Sequence, residues 1–248
     1  MTDEASLPLT GHLTELRNRI LIIIGTILVI FMGTYYFSDW ILTLVQRPVA
    51  GLKLVFLSPT EAFFAHLKVA FFAAIFLGLP VTLLQIWRFC APGLLTKEKR
   101  YVFPFVFFST MCFIVGALFC YYLILPFGLR FLLSFATDSL VPQISIGFYI
   151  SFVFKLILVF GFTFEIPLVT LLLVQIGVVT PEWLVTNRAY VIVGAFVVAA
   201  VLTPPDMVTQ LLLAGPLIVL YEISIIIAKI VSRRKKKKAA EEEANRED

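Results

Sequence analysis

The chain has 248 residues, 60% of them hydrophobic, and a formal net charge of +4 at pH 7. Soluble domains carry roughly 45–50% apolar residues, and several runs here approach 20 residues without a charge, so a water-soluble core is the wrong frame. The positive charge sits in short basic segments between those runs, which reads as a membrane topology signal and not as nucleic-acid binding.

A spanning segment must satisfy its backbone polar groups within a helix or a closed barrel, and the runs lack the alternation of barrel strands. The predicted fold class is therefore all-α, a polytopic membrane protein with six transmembrane helices. The spans read as residues 21–37, 69–87, 103–125, 152–176, 189–202 and 207–227. In domain terms this gives a cytoplasmic segment 1–20, a transmembrane domain 21–228 and a charged tail 229–248.

Before the first span, Leu13, Leu16 and Ile20 recur at helical spacing beside Glu15, Arg17 and Arg19. This predicts a short amphipathic helix at the membrane interface, with Glu15 and Arg19 as an i,i+4 pair. The segment 38–57 reads as an outer loop that packs as a cap and carries Pro48. Ser58, Pro59, Thr60 and Glu61 form a capping-box pattern, so the second helix is expected to start about ten residues before its membrane run, with Glu61 in a structural role.

Residues 89–100 read as a loop turned by Pro92 and Gly93, with Thr96 as the next N-cap and Glu98 in the following first turn. Residues 126–150 read as a second outer loop. The fourth run holds Glu165, the sharpest single signal, because a charged acid at mid-span costs about 2.5–3.5 kcal/mol on insertion scales. Two readings stand: a protonated or hydrogen-bonded acid tying helices together, or a binding or proton-relay site. Lys155 lies ten residues earlier, about 15 Å along the axis and on another face, and is expected to snorkel to the outer interface.

Thr180, Pro181 and Glu182 predict the start of the fifth helix, whose apolar run covers only about 21 Å against a hydrocarbon core of about 30 Å. Thr203, Pro204, Pro205 and Asp206 predict a tight hairpin with Asp206 capping the sixth helix. Pro80, Pro167 and Pro216 fall inside spans and predict kinks. The tail from Ser232 is basic, then acidic, and reads as solvated and disordered, serving topology anchoring or lipid attraction.

Lysine and arginine mark the sides. Arg17, Arg19, Arg88, Lys97, Lys99, Arg100, Arg188 and the basic run from Lys229 fall on one side, against Arg47, Lys53, Lys68 and Arg130 on the other. Both termini are therefore expected in the cytoplasm. The short leader lacks a small-residue cleavage pattern, which predicts a retained first helix and a prokaryotic inner membrane. The cysteines, Cys90, Cys112 and Cys120, read as small apolar packing.

Enzyme readings fare badly. The two histidines, His12 and His66, fall outside the spans on opposite sides, so neither an HExxH metal site nor a Ser/His dyad can be assembled, and no P-loop or GxSxG motif occurs. No metal or other cofactor is expected. The halves show no internal repeat, which weakens a transporter built on inverted repeats. A small-solute secondary transporter with Glu165 as proton site, or a purely structural scaffold, remain as alternatives from other classes.

Four motifs in order are similar to the TatC family, the receptor subunit of the twin-arginine protein translocase. They are His12 to Arg19; Phe89, Cys90, Ala91, Pro92, Gly93 and Leu94 followed by Glu98; Phe160 and Gly161 with Phe164, Glu165 and Pro167; and Thr203, Pro204, Pro205 and Asp206. The resemblance implies a curved, glove-like bundle of six helices that recognises paired-arginine signal peptides of folded proteins and draws on the proton-motive force. It implies that Glu15 and Glu98 receive the two arginines, with Arg17, Arg19, Phe89, Pro92, Gly93 and Leu94 shaping that surface.

Guanidinium and carboxylate match bidentately, which suits such a role, and lysine would keep the charge but lose the fork. The resemblance further implies that Glu165 and Gln210 meet the single-span partners TatA and TatB, and that Pro48 and Asp206 matter on the outer face. Membrane lipid and further copies of the chain complete the expected partners. A folded cargo of 100 residues has a radius of gyration of about 13 Å, and lining a hole for it takes roughly 14 helices. Six helices cannot enclose it, so the chain is expected to recruit other subunits.

Overall fold

The structure is a computed structural model and describes residues 9–49, 54–90, 102–137, 141–203 and 206–247. Among these, every long apolar run is helical. The helices are α1 Leu9–Tyr36, α2 Ser38–Gln46, α3 Pro59–Cys90, α4 Val102–Phe119, α5 Leu125–Leu133, α6 Ile146–Gln175, α7 Pro181–Thr186, α8 Arg188–Leu202 and α9 Met207–Glu247. The chain is an all-α, multi-pass bundle. Among the described residues, five stretches, Leu13–Tyr36, Pro59–Phe89, Phe103–Leu133, Ile146–Gln175 and Met207–Lys235, are long and apolar enough to cross a membrane, and Arg188–Leu202 is a shorter apolar helix.

Several expectations change. The amphipathic segment before the first span is not a separate helix, because it runs unbroken into α1. The expected outer loop 38–57 contains α2 and a 3-10 turn, Arg47–Val49. The second outer loop is shorter than expected: a π-helical turn, Cys120–Ile124, carries α4 into α5, so that helix continues to Leu133. Thr180 does cap a helix, accepting from Trp183 N–H at 3.2 Å, but the helix is the six-residue α7, and α8 starts anew after Asn187.

The tail expected to be disordered is helical as far as Glu247, continuous with the last span. Nucleation is the costly step in helix formation, and a chain already helical in the membrane has met it, so residues of good helix propensity such as Ala239, Ala240 and Ala244 propagate the turn. The three prolines lie inside helices as expected: Pro80 in α3, Pro167 in α6 and Pro216 in α9.

The chain divides into two compact units, the boundary passing through α4 and α6. The first comprises Met1–Thr110 with Ile144–Ser151. Here α1 packs along α3, where Thr34 Oγ1 donates to Ala70 O at 2.8 Å and Phe31 meets Phe71 edge-on at 6.4 Å. The start of α3 is tied to the start of α6 by Glu61, whose carboxylate accepts from Leu57 N–H at 2.6 Å, Gly147 N–H at 2.9 Å and the Ser145 hydroxyl. The structural role read for Glu61 stands, with Leu57 N–H as an additional backbone partner. A bridge between Val55 and Ser145 runs alongside it.

The second unit comprises Met111–Gln143 with Phe152–Asp248. Its tightest packing joins α4 to α6 through two glycines. A Cβ on Gly116 would lie 2.6 Å from Phe160 O, and one on Gly161 would lie 2.6 Å from the Phe113 ring. Phe113 and Phe160 are themselves fully buried, so neither has room to retreat. Elsewhere α7 lies on α9 over Val174, Leu184, Tyr221, Ile225 and Ala228, with Tyr221 OH donating to Leu184 O at 2.7 Å.

Candidate functional site: the carboxylate rim and the intramembrane acid

Local sequence places Glu15 and Arg19 one turn apart on α1, and the geometry makes Arg19 a clasp. Its Nε donates to Glu15 Oε1 at 3.0 Å, and its Nη2 reaches the same oxygen. The same guanidinium crosses to α3, where Nη1 donates to Gln85 Oε1 at 3.1 Å and Nη2 to Arg88 O at 3.2 Å. One fork thus orients the carboxylate of Glu15, satisfies the buried side chain of Gln85 and closes the end of α3. Five donors in a fixed plane permit this, and an ammonium could not reproduce it.

Arg17 is exposed beside Asn18, at 3.4 Å, and Phe89 is half-buried near the end of α3. Pro92, Gly93, Leu94, Thr96 and Glu98 lie outside the described residues. Gln85 was missed in the sequence. Its only signal there was a lone amide near the end of an apolar run.

Glu165 lies on α6 and is buried, 7% exposed. Its helix neighbours are polar but turned inward: Thr163 Oγ1 donates to Val159 O at 2.7 Å, and Thr170 is buried a turn beyond Pro167. Phe164 packs against Phe119 at 5.4 Å and against Gly116, which fixes the backbone carrying Glu165. Gln210 stands half-buried in the first turn of α9. Lys155 is exposed on α6.

A second acid near α9 was not anticipated as a partner. Glu222 Oε2 accepts from Arg188 Nη2 at 2.8 Å, joining α8 to α9. The 34 residues between them hide the pair from local pattern reading.

Asp206 caps α9 as expected, with Oδ1 accepting from Thr209 N–H at 2.7 Å and Oδ2 from the Thr209 hydroxyl. Those bonds, the hydroxyl first, hold the Asp206 carboxyl below its ordinary value of 3.8. A lowered folded-state pKa means that the cap's contribution is complete above pH 3.8 and is lost as pH falls through the folded value. Thermal stability should therefore differ between the native chain and Asp206→Ala at neutral pH, with the gap closing on acidification. A gap independent of pH would contradict that origin. Pro48 sits half-buried in the 3-10 turn, three residues after Val45, whose carbonyl accepts from Tyr149 OH at 2.7 Å. Pro204 and Pro205 lie outside the described residues.

A family model for the Sec-independent protein translocase protein (TatC) matches residues 11–216. The chain belongs to the TatC family. It is 43% identical over 223 residues to the Sec-independent protein translocase protein TatC of Helicobacter pylori strain 26695, covering 90% of this chain and 88% of that one. It is 41% identical over 230 residues to the TatC of Aquifex aeolicus, covering 90% and 95%. A crystal structure of a twin-arginine translocase receptor TatC superposes with a TM-score of 0.81 at 40% identity, over 89% of this chain and 99% of that one.

Membership of the TatC family makes this chain a membrane receptor and core subunit of the twin-arginine translocase, situated in the prokaryotic inner membrane. A translocase component is not an enzyme, and the small-solute transporter reading gives way to it.

Proposed function

We propose that Glu15 and Glu98 bind the two arginines of a paired-arginine signal peptide on the cytoplasmic side. Arg17, Arg19, Phe89, Pro92, Gly93 and Leu94 form the surrounding surface. The observation that carries this reading is the Arg19 clasp. A receptor carboxylate must be held in place before its ligand arrives, and Arg19 fixes Glu15 against α3 at the cost of sharing it. A carboxylate has about four lone-pair sites and can serve two guanidinium groups at once.

The finer topology belongs to the same reading. With α8 counted as a short span there are six crossings and both termini face the cytoplasm, in line with the distribution of lysine and arginine. At about 22 Å, α8 needs a thinned bilayer or shelter. Glu165 with Gln210 forms the polar region met by the single-span subunits TatA and TatB, and their recruitment couples to the proton-motive force. Burial of Glu165 supports this, since an acid inside a span faces a partner or cavity. Pro48 and Asp206 act on the outer face, where each also has a local structural role.

A photocrosslinker at Phe89 tests the cytoplasmic half. In native membranes it should capture a precursor with a paired-arginine signal and lose it when both arginines become lysine. Equal capture of the two precursors would contradict the proposal.

A further inference from the structure

The second unit contains a cleft of about 460 Å³ between α7 and α9, lined by Pro181, Glu182, Val185, Thr186, Lys229, Ser232 and Arg233. Beside it, Tyr221 OH ties α7 to α9 over an apolar core. The chemistry of the cleft is mixed in a definite way. Lys229 and Arg233 supply two cations, Glu182 one anion, and Ser232 a hydroxyl. Among the described residues neither base nor the acid is ion-paired, and the Ser232 hydroxyl makes no hydrogen bond. The groups are thus available to a ligand bearing both signs.

Position along α9 says what that ligand is. Ile226, Ile230 and Arg233 fall on one helix face with Lys229 beside them, and both isoleucines are exposed. An apolar track therefore leads out of the cleft toward the span. Trp183 and Tyr190, 57% and 77% exposed, stand at the same end of the unit, as aromatic residues do at a membrane interface. A headgroup in the cleft with acyl chains along Ile226 and Ile230 satisfies every one of these surfaces. A soluble phosphate would leave the track unused.

We propose that this cleft binds the headgroup of an amine-bearing phospholipid of the ethanolamine class, with Lys229, Arg233 and Ser232 on the phosphodiester and Glu182 on the ammonium. The assignment rests on α9 being a membrane span and not on the signal-peptide reading. A basic cleft alone would favour any anionic lipid. Glu182 makes the difference, because it repels a headgroup of negative charge only and rewards one that carries an amine.

Native mass spectrometry of the full chain in detergent, with equal amounts of phosphatidylethanolamine and phosphatidylglycerol, tests the proposal. The native chain should retain one phosphatidylethanolamine in preference. Lys229→Ala with Arg233→Ala should weaken retention about tenfold, as expected when charge-assisted bonds are lost, with unchanged melting because both side chains are exposed. Glu182→Gln should abolish the preference while keeping lipid, and Arg234→Ala, outside the cleft, should change nothing.

Three results would overturn the proposal. One is equal retention of both lipids by the native chain; another is an Arg234→Ala loss as large as the double variant's. The third is displacement of the lipid by millimolar inorganic phosphate, which would make the cleft a soluble-phosphate site. Paired-arginine peptide binding in the same preparations reports separately on the receptor reading.

Discussion

Gly116→Ala should destabilise the chain by about 3 kcal/mol or more, at the top of the range for a single added methyl group. Most overpacked sites relax because the atom encountered is the end of a flexible side chain. Here it is backbone, Phe160 O, at 2.6 Å, with Phe164 Cβ at 2.9 Å behind it. Accommodation requires α4 and α6 to separate, which loosens Phe113, Phe160 and Cys120, all fully buried. Because Glu165, the proposed partner site, follows Phe164 directly, partner recruitment should fail along with stability. Gly25→Ala, where nothing lies within 4 Å, is the matched control and should be neutral or slightly stabilising. Thermal unfolding in detergent measures both, and a Gly116→Ala chain as stable as the native one would mean that α4 and α6 are less closely packed than described.

Arg19→Ala carries the second large effect, through what it leaves behind. Gln85 is buried and loses its donor, and the Glu15 carboxylate loses the group that orients it. An unsatisfied buried polar group costs about 1–3 kcal/mol, and partial exposure of the Arg19–Glu15 pair discounts the ionic part, so about 2 kcal/mol is expected. Arg19→Lys separates charge from geometry: a single ammonium cannot reach Glu15, Gln85 and Arg88 O together. The lysine variant should therefore resemble alanine in peptide binding while recovering part of the stability. Full recovery of both by lysine would show that charge alone matters.

Local signals were readable in the sequence, and contacts across the fold were not. Apolar run length located the five long apolar helices and the shorter α8, and the caps at Thr180 and Asp206 followed from residue type and spacing over three or four positions. The Glu15–Arg19 pair was visible for the same reason. Arg19 to Gln85 spans 66 residues and Arg188 to Glu222 spans 34, and no periodicity encodes either. The glycine contacts between α4 and α6 were hidden likewise, although Gly161 appeared within a motif.

Helix in expected loops was missed for another cause. The expected second loop begins at Pro126, yet the π-helical turn Cys120–Ile124 leads directly into that proline and the chain stays helical to Leu133. The charged tail was read as solvated coil, and continuity with α9 decided otherwise. The part of the proposed signal-peptide surface from Pro92 to Glu98 lies outside the described residues and was legible only as a motif.

The central proposal is that Glu15, oriented by Arg19, and Glu98 together recognise a pair of guanidinium groups. The most direct measurement is the dissociation constant of a fluorescent paired-arginine signal peptide for the purified full chain in bilayer nanodiscs, with Glu15→Gln, Glu98→Gln and the double variant alongside. Each lost carboxylate should weaken binding roughly tenfold to a hundredfold, from about 1.5–3 kcal/mol per charge-assisted contact, and a paired-lysine peptide should bind the native chain as poorly as the arginine peptide binds the variants. An unchanged dissociation constant for the double variant, folded as judged by its melting, would contradict the account.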